Sequence, residues 1–491
     1  MTPTSSSLPR STPSAQGVDA AGVDRLIDAI GQTDTEMHSL MVLRHGHVIA
    51  EGWWAPFAPD LKHLVYSLSK TFTSAAAGLA ISEGRFGLDD VMVDHFPELV
   101  PDDLDEKYRR YLVRHALTMA SGHESEALDR AAAASRAVGG DVLGGFFRVA
   151  PDREPGAVFA YSQPTIYGVG RLVAKTTGGT ILDYLRPRLL EPLGIDEAQW
   201  MMIGDVEMGF SGIHVFTESL AKTGQLMLDG GRWRGEQILD HKWVAAATSK
   251  QMDNDTAHRG PGAPDPIDWQ QGYGFQYWMN RHGFRGDGAY GQFIIVWPEE
   301  DAVIITTAET IDMQTLLSLI TDHLRPAMAA PGTAEADAAL AEKLSSLALP
   351  LPDDSGADFS GVFDVDATVY PPGPFTSNGP VPGAERVEVT GTDRGWNIRF
   401  TGRGVDVTLP VGRREWAAGE WPAPAEGLDE VPFRSVAGVG EDGAWHARLR
   451  MIQTPHTLHV DIAPGGRTSL AWRFPPLRGD GPVGHALPSL G

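Results

Sequence analysis

The run VYSLSKTFTSAAAGLAISEGRF, Val65 to Phe86, decides how the rest of the chain is read. Its apolar positions Leu68, Phe72, Ala75 and Leu79 stand at i, i+4, i+7 and i+11, the period of a helix that buries one face. Ser67 falls at the first turn of that helix and Lys70 lies three residues on, so the ammonium lies beside the hydroxyl. The N–H groups and dipole of a helix start stabilise negative charge on a serine oxygen or its adduct. Serine, lysine and helix start together describe an activated nucleophile. The same spacing recurs at Ser219-Leu-Ala-Lys222, so context has to choose between the two.

At 491 residues the chain is too long for one ordinary core, and two or three domains are expected. Its 42% hydrophobic and 21% charged residues are those of a globular protein. A balance of 40 basic against 64 acidic residues gives a formal charge of -24, which disfavours nucleic acid and anionic membranes as partners. Cysteine is absent, which excludes disulfides, thiolate nucleophiles and zinc–cysteine sites. The Ser/Thr/Pro-rich residues 1–16 contain no apolar core of a secretion signal, and no run approaches the length of a membrane span. Residues 1–16 are therefore expected to be a disordered tail, and the protein cytoplasmic.

Residues 17–31 read as an amphipathic helix, and SLMVLR and HVIAEGWW as a hairpin turning at His45-Gly46. His45 and His47 have no third ligand nearby, and no metal site is expected. His115, within RYLVRHALTMASG, reads as a packed or capping histidine. In PGAVFAYSQPTIYGVGRLVAKTTGG a helix is expected from about Pro164 to Lys175, with Tyr161-Ser162-Gln163 at its loop junction. FTESLAKTGQLMLDGG reads as a packed helix that carries Lys222 on its surface. GYGFQYWMNR, GFRGDGAYGQFIIVW and DAVIITTAE are strands, and MQTLLSLITDHLRPAM is a closing helix.

Strands at both ends of residues 17–330 with a helix-rich middle predict an α/β sheet domain carrying an inserted helical lobe. The Ala/Pro/Asp composition of residues 331–356 suggests a linker. From 357 to 491, short alternating runs between Gly/Pro/Asp turns predict a C-terminal all-β domain, a barrel or a sandwich.

VYSLSKTFTS, LTMASG, FAYSQPTIYGVG, GFSGIHVFTESLAKTGQLMLDGGRWRGEQIL and GDGAYGQFIIVWP occur in the order and at the spacing of one known superfamily. Over residues 17–330 the chain resembles the serine β-lactamase/penicillin-binding superfamily, and within it the class C-related esterases and 6-aminohexanoate-dimer hydrolases. The resemblance implies a β-lactamase-like antiparallel sheet domain with an inserted helical lobe. It implies that Ser67 attacks a carbonyl, that Lys70 and Tyr161 share the proton transfers, and that the N–H groups of Ser67 and Ala289 form an oxyanion hole. Gln163 and Gly288 would contact substrate, with no cofactor or metal. The C-terminal region is similar in layout to the lipocalin-like appendages of some relatives.

Two departures stand out. Gln163 occupies the place of the usual Asn, and Gly286-Asp287-Gly288 replaces a Lys/His-x-Gly triad. Lys222-Thr223-Gly224 spells the KTG of penicillin-recognising enzymes, but on a helix rather than the required strand edge.

The expected function is a serine hydrolase acting on a small ester or amide. The alternatives are a D-amino-acid peptidase or transacylase and a β-lactamase; a homodimer is left open. No Gly-x-Ser-x-Gly occurs, which argues against an α/β-hydrolase. A tyrosine acting as base would need its pKa lowered by about three units, roughly 4 kcal/mol. The Lys70 ammonium and the helix dipole are expected to supply this between them.

Overall fold

Six strands make one antiparallel sheet: β1 (Glu36–Arg44), β2 (His47–Trp53), β3 (Trp278–Asn280), β4 (Gly283–Gly288), β5 (Gln292–Trp297) and β6 (Ala302–Glu309). They lie in the order β3-β4-β5-β6-β1-β2, so the two ends of the catalytic region meet where β6 pairs with β1. This computed structural model describes residues 7–254, 267–366, 384–402, 405–421 and 431–477. The longest helices are α1 (Ala20–Ile30), α2 (Ser69–Ser82), α3 (Gln163–Thr177), α4 (Thr217–Leu228), α5 (Met313–Met328) and α6 (Ala334–Ser345).

Alternation along the strands divides the sheet's two faces. Phe293, Ile295, Trp297, Ile304 and Val42 point to one core, where Leu26, Ile30, Leu316, Ile320 and Leu324 of α1 and α5 cover them. Ile294, Val296, Val303, Ile305 and Met41 point to the other, against Leu68 and Phe72 of the α2 region and Leu220 of α4. The inserted lobe, with α3, packs on the far side of α2. This is the predicted sheet domain with its helical lobe.

Helix α2 departs from the expected one-sided burial, because every residue from Ser69 to Ala80 is buried. It runs between sheet and lobe, so both sides are packed. Small residues make this possible: a Cβ at Gly78 would lie 2.4 Å from the Trp243 indole nitrogen. The polar positions are satisfied across the helix, with Thr73 Oγ1 donating to Gly209 O (2.6 Å) and Ser74 Oγ to Phe275 O (2.7 Å).

Two segments read as unstructured are packed. Within the expected tail, Leu8 is buried, Ser11 N donates to Val48 O, and Arg10 pairs with Glu51 and Glu218, each at 2.8 Å. Within the expected linker, α6 lies on α1 and β2, with Leu340 buried and Lys343 bridging Asp24 (2.8 Å) and Asp28 (2.6 Å). Its Ala, Glu, Leu and Lys are strong helix formers, and Thr333 caps it by accepting from Ala336 N, so composition alone was a poor guide there.

The C-terminal region forms a nearly closed barrel: β7 (Gly361–Asp364), β8 (Ala384–Thr392), β9 (Gly395–Gly402), β10 (Val405–Arg413), β11 (Ala417–Trp421), β12 (Val431–Val439), β13 (Trp445–Met451), β14 (His456–Ile462) and β15 (Thr468–Trp472). The pairings are antiparallel apart from a short parallel contact of β10 with β12, and a bridge from Val365 to Thr468 links the first and last strands. Val387, Ile398, Phe400, Leu449, Leu458 and Val460 fill its interior. Closure makes it a barrel rather than a sandwich. Among the described residues no helix is long and apolar enough to cross a membrane.

Candidate active site

The expected nucleophile sits on a turn before α2. Tyr66–Leu68 forms a single 3₁₀ turn that passes directly into the helix at Ser69. Ser69, buried just inside the helix, ties the turn down: its Oγ donates to Tyr66 O (2.5 Å) and accepts from Ile213 N (3.0 Å). Ser67 is half-buried, and Lys70 Nζ lies 3.0 Å from its Oγ. Nζ also donates to Phe210 O at 2.7 Å and lies 4.8 Å from the centre of the Tyr161 ring.

Burial governs the protonation of these groups. Lys70 is 1% exposed, and burial pushes its amine down to about 7, although the nearby carboxylates of Glu126 and Asp287 pull it partly back. Burial pushes the Tyr161 phenol in the opposite direction, well above its ordinary range, and interaction with the Ser67 hydroxyl offsets part of the rise. This shift runs opposite to the one a tyrosine base would need. Desolvation leads, the Asp287 and Glu126 carboxylates add to it, and the Arg285 guanidinium opposes it. The shifts favour a lysine able to accept a proton near neutral pH and a tyrosine that keeps its own.

Tyr161 is held by stacking on Trp278 (5.3 Å between ring centres) and by the edge of Tyr273 (6.3 Å). Its loop is fixed by Glu126, a residue for which the sequence offered no signal. The Glu126 carboxylate accepts from Ala127 N (2.8 Å), Leu128 N (2.9 Å), Gln163 N (3.1 Å) and Ser162 Oγ (3.2 Å). Solvent reaches Glu126, yet the surrounding cleft disfavours its charge and raises the carboxyl above its usual value. Gln163 is brought to the same site, and its Oε1 is buried without a protein hydrogen-bond partner.

Strand β4 borders the site on the other side. A Cβ at Gly286 would lie 2.8 Å from Thr71 Cγ2, and one at Gly288 only 2.1 Å from Val65 O. The two glycines let the strand touch the serine turn, which makes Gly288 a packing residue and places half-buried Ala289 at the rim. Gln292, fully buried, fixes the Ala289 carbonyl by donating to it at 3.1 Å and to Ala308 O at 2.7 Å.

Arg285 and Asp287 alternate to the opposite face of β4. The guanidinium is fully buried over Trp269 (4.3 Å), donates to Asp268 O (2.6 Å), and pairs with Asp287 at 3.0 Å. Burial raises the Asp287 carboxyl to about 6, while Arg285 and Lys70 draw it down.

The second Ser-x-x-Lys has no such geometry. Ser219 Oγ donates to Glu197 (2.6 Å), and Lys222 Nζ donates away from it to Gly194 O (2.9 Å). Lys222 is also buried, where a surface position was expected, because α4 packs against the sheet on one side and the Gly194 turn on the other. His115 caps its helix by accepting from Leu112 N at 3.2 Å. Among the described residues no group of His, Asp and Glu is arranged to hold a metal ion.

Comparison with known proteins agrees with this fold. The 6-aminohexanoate-dimer hydrolase of Paenarthrobacter ureafaciens is 25% identical over 296 residues, 57% of this chain and 75% of that protein. The lovastatin esterase of Penicillium rubens is 25% identical over 184 residues, 34% of this chain and 46% of that enzyme. A solved Bacillus anthracis structure, assigned as a 6-aminohexanoate-dimer hydrolase, superposes with a TM-score of 0.50 at 20% identity, covering 64% of this chain and 86% of that one. The family model described as Beta-lactamase matches residues 23–312. With more than half of its length matched in this way, the chain belongs to the Beta-lactamase family of serine hydrolases.

Proposed function

We propose that this protein hydrolyses a small ester or amide through an acyl-enzyme on Ser67, with Lys70 as the base. The observation that carries this reading is the Lys70 amine, buried to a pKa of about 7 and 3.0 Å from the Ser67 hydroxyl. A neutral amine has one lone pair and two N–H bonds. One N–H serves Phe210 O, and the lone pair is left for the serine proton.

In the first step the Ser67 Oγ–H proton passes to Nζ while Oγ bonds to the substrate carbonyl carbon. The carbonyl oxygen becomes an anion, which the N–H groups of Ser67 and Ala289 would receive. The bond to the leaving group then breaks, and the leaving alcohol or amine takes a proton from Tyr161, which recovers one from Lys70. Water repeats the sequence on the acyl-enzyme, with Lys70 again accepting the proton, and releases the acid. Gln163 Oε1 is the acceptor placed to meet a substrate N–H or O–H, because an orphaned buried amide oxygen gains most from a bound donor.

Labelling with a fluorophosphonate followed by peptide mass spectrometry tests the assignment. An adduct on the Ser67 peptide, absent in Ser67→Ala, is expected. An adduct on Ser219 overturns it.

A further inference from the structure

Two non-glycine residues beside the active site have left-handed backbones: Tyr66, immediately before Ser67, at φ 48°, and Tyr290, immediately after Ala289, at φ 68°. Such conformations are unfavourable for an aromatic residue and persist only where surroundings impose them. Here both flank the residues whose N–H groups are assigned to the oxyanion. Both side chains reach the C-terminal region, at the start of β14 and the segment that follows β15.

Tyr66 Oη and His456 Nε2 are 2.5 Å apart, and Tyr290 Oη donates to Pro475 O at 2.6 Å. His456 Nδ1 lies 3.2 Å from Phe474 O, so the proton belongs on Nδ1 and Nε2 accepts from the Tyr66 hydroxyl. The rings of Tyr66, Tyr290 and His456 meet edge to face in all three pairings, with centres 5.0 to 5.7 Å apart. Leu64, Phe474, Leu477 and Ala289 close around them.

Further bonds join the barrel to the sheet domain around this contact. Thr457, next to His456, donates its hydroxyl to buried Glu309 of β6 at 2.7 Å. Arg450 pairs with Glu36, Arg473 donates to Glu309 O at 3.0 Å, and Leu64 N donates to Gln453 O at 2.7 Å.

We infer that the C-terminal barrel is a clamp on the oxyanion hole, with His456 and Pro475 holding Tyr66 and Tyr290 so that the N–H groups of Ser67 and Ala289 converge. This rests on the acyl-enzyme reading above. The barrel contributes no reacting group. Its residues are positioning residues, which act through the two tyrosines on the stability of the anionic intermediate.

The test compares wild type with Tyr290→Phe, His456→Ala, His456→Gln and, as a barrel control far from the contact, Asp406→Asn. Active sites are counted by fluorophosphonate labelling, so that kcat refers to folded enzyme. The clamp predicts that Tyr290→Phe and His456→Ala lower kcat about ten- to hundredfold with KM changed less than about twofold, a fraction of the loss on deleting an oxyanion donor. Inhibition by a boronic acid, which mimics the tetrahedral adduct, weakens in proportion, while binding of the carboxylic acid product does not. His456→Gln, which keeps an acceptor, recovers part of the loss, and Asp406→Asn shows none. Lower melting temperature with kcat per labelled site and boronate affinity unchanged overturns the clamp, since the contact would then only hold domains together. Should His456→Ala not fold, Tyr290→Phe, which removes a single hydroxyl, decides the matter alone. A wild type that takes no label at Ser67 strikes the acyl-enzyme reading and the clamp with it; a labelled wild type whose variants keep kcat strikes the clamp only.

Discussion

Replacing Lys70 by methionine should abolish activity and at the same time change how stability depends on pH. Lys70 titrates near 7 when folded against 10.5 ordinarily, so keeping its charge buried costs about 5 kcal/mol at low pH. The folded pKa lies below the unfolded one. Between pH 7 and 10.5 the unfolded chain therefore binds the extra proton, and this group makes stability rise with pH across that window. Over the two units from pH 7 to 9 the gain is about 2 to 3 kcal/mol, and below about pH 6 it flattens. Lys70→Met keeps the length of the side chain and removes the titration. It also leaves Phe210 O without its donor, a cost of about 1 to 3 kcal/mol that does not vary with pH.

The quantity to measure is the difference between variant and wild type in denaturant unfolding from pH 6 to 9, because groups common to both cancel. The variant should fare best relative to wild type at pH 6 and lose about 2 to 3 kcal/mol of that standing by pH 9. In the wild type, kcat/KM should rise with pH along a limb near 7, as neutral Lys70 becomes available. A stability difference that is flat from pH 6 to 9 would refute the argument, since Lys70 would then be an ordinary ammonium and not the base.

Tyr161→Phe should retain the fold and lower kcat by about 10² to 10⁴, the range for a lost acid–base group; near-normal turnover would leave proton return to Lys70 alone. The enzyme should prefer p-nitrophenyl butyrate to nitrocefin by at least about tenfold in kcat/KM. Gly286 carries no cation, and the Arg285 guanidinium pairs with Asp287 and donates to Asp268 O, so the charge-assisted bond of about 1.5 to 3 kcal/mol that a lysine in the place of Gly286 would give a substrate carboxylate is missing. Equal turnover of the two substrates would show that another group holds the carboxylate. Arg285→Ala should destabilise the protein by about 3 to 5 kcal/mol, because it leaves buried Asp287 unpaired. Unchanged unfolding in that variant, checked by denaturant midpoint, would mean the pair is solvated.

Much of this protein is determined by local sequence alone. The β-rich runs Gln292–Trp297 and Ala302–Glu309, the hairpin at His45-Gly46, and the Ser67–Lys70 spacing each depend on neighbours within a few residues, and each appears where those neighbours place it. The helix after Tyr161 is legible for the same reason, through Pro164 at its start and Gly178 at its end. Residues 334–345 misled because composition was weighed without order: their run of Ala, Glu, Leu and Lys after a Thr333 cap is a local helix signal, and α1 supplies its packing partner. The contributions of Glu126 and Gln292 come from bonds to residues 37 and 16 positions away, and no local pattern announces such bonds.

Only the tertiary structure decided which way the Lys70 and Tyr161 protonation equilibria shift. A pKa responds to the dielectric and charge around a group, and those come from chain segments far apart in sequence. Enclosure between sheet and lobe lowers the Lys70 amine, the same cleft raises the Tyr161 phenol, and Tyr66, left-handed at φ 48°, meets a histidine 390 residues further on. The sequence singled out the candidate atoms, while burial and long-range contact set their charges and their surroundings.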